Sequence, residues 1–230
     1  MARHVDLNAD LGEEVTDDAA LLGVVTSANV ACGYHAGTPM IMREVCERAA
    51  DLGVAIGAQV SYDDREHFGR VPLDVAPALL REQVADQVGL LTLVAQAAGT
   101  TVRYLKPHGA LYHRVLDDDE QAAAVLAGSG SLPVLGMAGR CLELAAAAGR
   151  AVFLEGFPDR GHTPDGRLVP RSEPGALVED EPGIVAQALA LAPSVASLCL
   201  HGDSPGAVVH ARAVRRALEA AGWSVAPFVA

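Results

Sequence analysis

The chain has 230 residues, half of them apolar and a fifth charged, a composition that supplies a large hydrophobic core and excludes a disordered chain. A formal charge of −12, with no Lys/Arg cluster beyond Arg215-Arg216, argues against nucleic acid or an anionic membrane as partner. Met1 to Asp10 alternates like a strand instead of showing a signal-peptide layout, and no apolar run reaches ~18 residues, so a cytoplasmic protein with no membrane contact is expected.

Short apolar runs alternate with helix-period stretches throughout, and no Pro/Gly/Ser-rich linker interrupts them. This is the βαβα pattern of a parallel sheet in a single domain covering 1–230. Strands are predicted at His4–Leu7, Ser27–Ala31, Val54–Ala58, Val102–Leu105, Leu132–Gly136, Ala151–Leu154, Ser197–Leu200 and Ser224–Phe228. Thr38-Pro39 and Ser204-Pro205 have the cap-then-proline form of helix starts. From Pro77 to Ala98, Leu80, Val84, Val88, Leu91 and Ala95 share one helical face, as do Val208, Ala211, Val214 and Leu218 between Pro205 and Ala221. Seven or eight βα units close naturally into a barrel, and an open doubly wound sheet is the competing arrangement.

The unusual polar residues follow the carboxyl ends of these strands: Asn8 and Asp10, His35, Gln59 and Tyr62, Lys106 and His108, Glu155 with Asp159 and Arg160, then His201 and Asp203. In a barrel those ends share the face where active sites form. Of 17 basic residues only Lys106 is Lys, which singles it out as a position where a flexible ammonium is needed. The glycines after His108 and His201 permit close backbone approach to a ligand, and His201-Gly202-Asp203 precedes a helix start suited to a carboxylate or phosphate.

Plainer readings stand beside these. His35 could be a satisfied loop histidine and Asp10 a helix cap. Asp117-Asp118-Asp119-Glu120 reads as a solvated helix start and not as a metal site, and Asp63-Asp64-Arg65-Glu66 takes the same plain reading. Cys32, Cys46, Cys141 and Cys199 form no C-x-x-C pair and read as packed thiols. No Walker A loop is present, since the only lysine follows Leu105. Asp10, His35, His108, His201 and Asp203 offer nitrogen and oxygen ligands, but spacing across loops does not decide a metal.

Val5-Asp6-Leu7-Asn8-Ala9-Asp10-Leu11-Gly12-Glu13, Ser27 through Gly37, Lys106-Pro107-His108-Gly109-Ala110-Leu111-Tyr112, Leu168-Val169-Pro170-Arg171-Ser172 and His201-Gly202-Asp203 together resemble the LamB/YcsF family, in collinear order over nearly the whole chain. The resemblance implies a seven-stranded TIM-like (βα) barrel related in architecture to polysaccharide deacetylases. It also implies the first of three subunits of an ATP-dependent 5-oxoprolinase, which opens the lactam 5-oxoproline to glutamate together with subunits B and C. On this reading Asp10, His35, Lys106, His108 and His201 are catalytic. Asn8, Tyr62, Asp159, Arg160, Arg171 and Asp203 bind substrate, and Asp10, His35 and His201 are the candidate ligands of a divalent metal.

The chain departs from the family's Ala-His-Pro-Ser-[Tyr/Phe]-Pro-Asp stretch, which here reads Ala58-Gln59-Val60-Ser61-Tyr62-Asp63-Asp64. An amide cannot shuttle protons as imidazole does. Gln59 is therefore expected to face the pocket of Asp10, His35 and His201 and to weaken metal binding. The alternatives are a non-catalytic member of the complex that only presents substrate to its partners, or a metal-dependent deacetylase acting alone.

Overall fold

The computed structural model describes residues 3–15, 17–202 and 206–229. In chain order these form β1 (Arg3–Leu11), α1 (Asp18–Leu22), β2 (Ser27–Ala31), α2 (Pro39–Leu52), β3 (Ala55–Val60), α3 (Pro77–Ala97), β4 (Val102–Pro107) and α4 (Gly109–Arg114). There follow α5 (Asp119–Gly128), β5 (Val134–Gly136), α6 (Arg140–Ala147), β6 (Val152–Gly156), α7 (Glu181–Leu191), β7 (Ser197–Leu200), α8 (Ala207–Ala220) and β8 (Trp223–Val225). Every strand pairing is parallel, and β1 pairs with both β2 and β7, which closes β1 to β7 into a seven-stranded ring and excludes the doubly wound sheet. The eighth strand stands outside the ring and pairs with Arg3, His4 and Val5 at the start of β1.

All eight predicted strands are present, but β1, β3, β4 and β6 run further toward their carboxyl ends than apolar content indicates. The extensions carry Asn8, Asp10, Gln59, Lys106 and Glu155, because the interior of this barrel is polar. On β1 the alternate residues Val5, Leu7, Ala9 and Leu11 join the hydrophobic layer under the helices. Asp6, Asn8 and Asp10 belong to the other face. Asp6 accepts from Thr26 and Ser27 at 2.6 Å and from Ser197. Asn8 donates to Ser197 at 2.6 Å and accepts from Asn29 at 2.7 Å, and Asn29 reaches Asp10 at 2.8 Å. Fully satisfied, such a network fixes the strand register, which a one-residue slip would turn inside out. Tyr104 joins it through a 2.6 Å bond to Asn29, in space that a side chain at Gly57 would fill. Below, Phe228 lies across the amino-terminal end, 4.8 Å from the rings of both Tyr104 and Phe153.

The helices follow their predicted faces apart from Val208 on α8, which is half-buried beside a buried Ala207, and one exchange on α3. On α3, Leu80, Val84, Leu91 and Ala95 are buried, but Gln87 and not Val88 completes the inward face. The Gln87 amide is fully paired with the backbone of Ser61, at 2.9 Å in each direction, and so fixes the chain just past β3. Thr38 caps α2 and Asp118 caps α5, the role expected of that acidic run. The Ser204-Pro205 start lies outside the described residues. Among the described residues, no helix is long and apolar enough to cross a membrane.

Candidate active site

A cavity of about 930 Å³ opens at the carboxyl ends of the strands, where the polar residues were expected to converge. Its floor is Lys106. The ammonium, 2 % exposed, lies 2.9 Å from Asp10 Oδ1, 2.9 Å from Glu155 Oε1 and 3.1 Å from Cys199 Sγ. The ammonium donates to Asp10 and to Cys199 and is ion-paired with Glu155. Burial alone would push Lys106 down, but Asp10, with Glu155, holds it well above the usual lysine range. Burial likewise works to raise Asp10, yet Lys106, helped by His108 and His201, holds that carboxyl well below its ordinary value. Lys106 is therefore a fixed positive charge. Tyr112 donates to Glu155 Oε2 at 3.1 Å and completes the floor.

Beside it, the loops after β1 and β2 bring Glu13 and His35 against His108. Arg65 clamps both loops, donating to the Gly33 and Gly37 carbonyls at 3.1 and 2.8 Å and to Glu14 at 2.8 Å. The rings of His35 and His108 stack at 4.0 Å, and Phe68, held at φ 58°, sets its edge against both. Gly109, at the same positive φ, serves the approach of another loop: a side chain there would collide with the Gly69 carbonyl, which accepts from Ala110 at 2.8 Å. His108 Nε2 lies 3.1 Å from the Phe68 carbonyl, which can only accept, so that nitrogen carries a hydrogen, while Nδ1 faces Glu13 at 3.4 Å and the Gln59 amide nitrogen at 2.9 Å. Burial, then the neighbouring His108, pushes His35 down to about 4, leaving a neutral imidazole. Both of its ring nitrogens lack a hydrogen-bond partner although the residue is 1 % exposed.

Glu13, His35 and His108 are the group among the described residues whose ligand atoms all lie within 4.8 Å of one another. Orphaned imidazole nitrogens beside a carboxylate fit a divalent metal chemically. This is not the expected set of Asp10, His35 and His201. Asp10 is engaged by Lys106 and Asn29, and His201 turns its Nδ1 to Asp159 at 3.0 Å. Gln59 contacts Glu13 and His108, each at 2.9 Å, in the cluster that also holds His35.

The remaining predicted residues divide by what they touch. His201 lines the cavity and stacks on Phe157 at 5.5 Å. Asp159 orients it, accepting from its backbone at 2.8 Å and from its ring, and His201 in turn holds the Asp159 carboxyl below its usual range against the opposite pull of burial. Arg160 also lines the cavity, and its guanidinium ties down the following loop through the Ala176 and Val169 carbonyls at 3.0 and 2.7 Å. Arg171 is an exposed residue on the cavity wall. Asn8 is sealed inside the barrel, out of reach of substrate. Tyr62 is a correction, because its side chain leaves the mouth and packs in the hydrophobic layer, where its hydroxyl donates to Gln121 at 3.1 Å. Asp203 lies outside the described residues.

Sequence reasoning passed over Glu13, Tyr112 and Cys199 as site residues. Glu13 follows the last strand residue by two places and so escapes the alternation. Cys199 carries the same spacing from Ser197 that Asp10 has from Asn8, a signal that a packed-thiol reading discards.

A family model described as the LamB/YcsF family matches residues 5–230. A Streptomyces avermitilis protein named as the A subunit of 5-oxoprolinase is 54% identical over 248 residues, covering 97% of this chain and 99% of its own. The crystal structure of the lactam utilization protein from Thermus thermophilus superposes with a TM-score of 0.90 at 35% identity, covering 97% and 99% of the two chains. The Bacillus subtilis peptidoglycan deacetylase PdaC shares the fold alone, with a TM-score of 0.55 at 13% identity over 98% of this chain and 87% of that one.

Proposed function

Because the chain belongs to the LamB/YcsF family, we propose that it is the A subunit of a 5-oxoprolinase and opens 5-oxoproline to glutamate at the mouth of this barrel. The observation that carries the reading is the end-to-end correspondence with a chain of that name at 54% identity. The site supports it chemically. Hydrolysis breaks the ring C–N bond, gives the carbonyl carbon a water oxygen and the ring nitrogen a proton, and builds negative charge on the lactam oxygen on the way. Lys106, fixed as a cation at the cavity floor, supplies a field that favours that charge. His201, with Nδ1 committed to Asp159, has Nε2 left to accept a proton from water and return it to the leaving nitrogen. Arg160 and Arg171 line the wall where a carboxylate or phosphate would be held.

Glu13, His35 and His108 would hold a divalent cation, whose chemistry is to polarise a carbonyl or acidify a bound water. A lactam is a poor electrophile, so transfer of the γ-phosphoryl group of ATP to its oxygen, with ADP leaving, would activate the carbon, and the phosphate would leave once water has added and the ring has opened. The sequence has no Gly-Lys phosphate loop, which supports nucleotide binding at a different kind of site or on subunits B and C.

The test is glutamate formation from 5-oxoproline by the chain with and without subunits B and C and ATP. Turnover by the full set, with no ATP hydrolysis by this chain alone, is the expected result. A full set that leaves 5-oxoproline intact would sink the assignment.

A further inference from the structure

The Gln59 side chain is enclosed, 0 % exposed, with its amide nitrogen 2.9 Å from Glu13 Oε1 and 2.9 Å from His108 Nδ1. Its oxygen has no hydrogen-bond partner, and neither has either ring nitrogen of His35. A buried polar atom left unpaired is costly, because it gives up its water without a replacement. Three in one cluster mark a place where something else supplies the missing contacts.

The spacing of the donors says what. Glu13 Oε1 is 3.4 Å from His108 Nδ1 and 3.5 Å from His35 Nε2. Four-coordinate zinc, with bonds of ~2.0–2.1 Å, sets its donors roughly 3.3 Å apart. Two imidazoles and a carboxylate suit a borderline cation of the zinc class better than calcium or magnesium. Phe68 sets its ring edge against both imidazoles and helps to fix their orientation.

One feature of the arrangement opposes a cation: the amide hydrogens of Gln59 point at Glu13 and His108. A half-turn of the terminal amide exchanges nitrogen and oxygen with little movement of either. Without a cation that turn sets the oxygen against the Glu13 carboxylate and the His108 lone pair. With a cation among them it adds a donor. We propose that Glu13, His35 and His108 bind one zinc-class divalent cation and that Gln59 turns its amide as the cation enters, becoming the fourth donor through Oε1. The proposal shares the pocket of the lactam reading but does not rest on it, since no lactam, nucleotide or partner subunit enters its test.

The full chain, freed of metal with a chelator, is titrated with zinc chloride by calorimetry, and unfolding curves establish that each variant is folded. Wild type takes up one equivalent. His35→Phe loses at least tenfold in affinity, and Gln59→Glu, which offers a charged oxygen at the same reach, gains at least tenfold. In crystals of the zinc-loaded wild type, Gln59 Oε1 lies within bonding distance of the metal. A wild-type chain that takes up no zinc, or an affinity indifferent to His35→Phe, overturns the site. A zinc that leaves Gln59 beyond about 3 Å, or an affinity unchanged by Gln59→Glu, overturns the fourth donor.

Discussion

The Cys199 thiol accepts the third hydrogen of the Lys106 ammonium at 3.1 Å, in a place where both residues are closed to solvent. Burial pushes the thiol well above its ordinary value, and although Lys106 pulls the other way, Cys199 stays protonated. Cys199→Ser preserves an acceptor and should leave stability within about 1 kcal/mol, whereas Cys199→Val strands an ammonium hydrogen and should cost about 1–3 kcal/mol by urea unfolding. Lys106→Met should cost more, about 3–5 kcal/mol, because it leaves Asp10 and Glu155 as uncompensated buried charges. Equal midpoints for wild type and Lys106→Met would show that the cluster is not ionised as described.

Asp6 makes stability depend on pH in a direction opposite to that of most carboxylates. Burial pushes its carboxyl up to about 6, against the pull of three hydroxyl hydrogen bonds. From 3.8, where the unfolded chain releases this proton, up to about 6, the folded state binds more protons than the unfolded. The contribution is thus fully present below 3.8 and is lost as pH rises through about 6. Asp6→Asn should be more stable than wild type by about 2–3 kcal/mol at pH 7.5, and the difference should vanish near pH 4. A gap that is the same at both pH values contradicts the raised carboxyl.

Asp159→Asn keeps the size of the side chain and removes the charge that holds the His201 ring. In the complete enzyme kcat should fall on the order of 10²-fold or more with KM little changed, and the pH–rate profile should shift. A variant with the wild-type profile would remove His201 from the proton-transfer role.

Tyr62→Phe should lose only the bond to Gln121, about 0.5–1.5 kcal/mol of stability, with turnover unaffected. A rise in KM for 5-oxoproline would return Tyr62 to the cavity.

Much of this architecture is legible in the chain because one rule writes it. Polar residues recur at every second position where strands face the barrel interior, as in Asp6, Asn8 and Asp10, or Ser197, Cys199 and His201, or Tyr104, Lys106 and His108. That rule locates the mouth, and the helix caps at Thr38 and Asp118 follow from local chemistry. What it does not reach is which loops touch. Glu13 meets His108, and Gln59 meets both, only because Arg65 and the Gly69–Ala110 contact dock three loops together. Tyr62 misleads for a related reason. Ser61 is fixed to α3 by Gln87, so the next side chain is directed outward under α5.

Lys106 floors the cavity, and Phe228 packs against Tyr104 and Phe153 at the far end of the barrel, so among the described residues the chamber is a cul-de-sac. A departing glutamate, an arriving lactam and any docked partner would then share its mouth. A partner seated over that opening would act as a lock-keeper, holding a reactive intermediate inside and setting the pace at which product escapes.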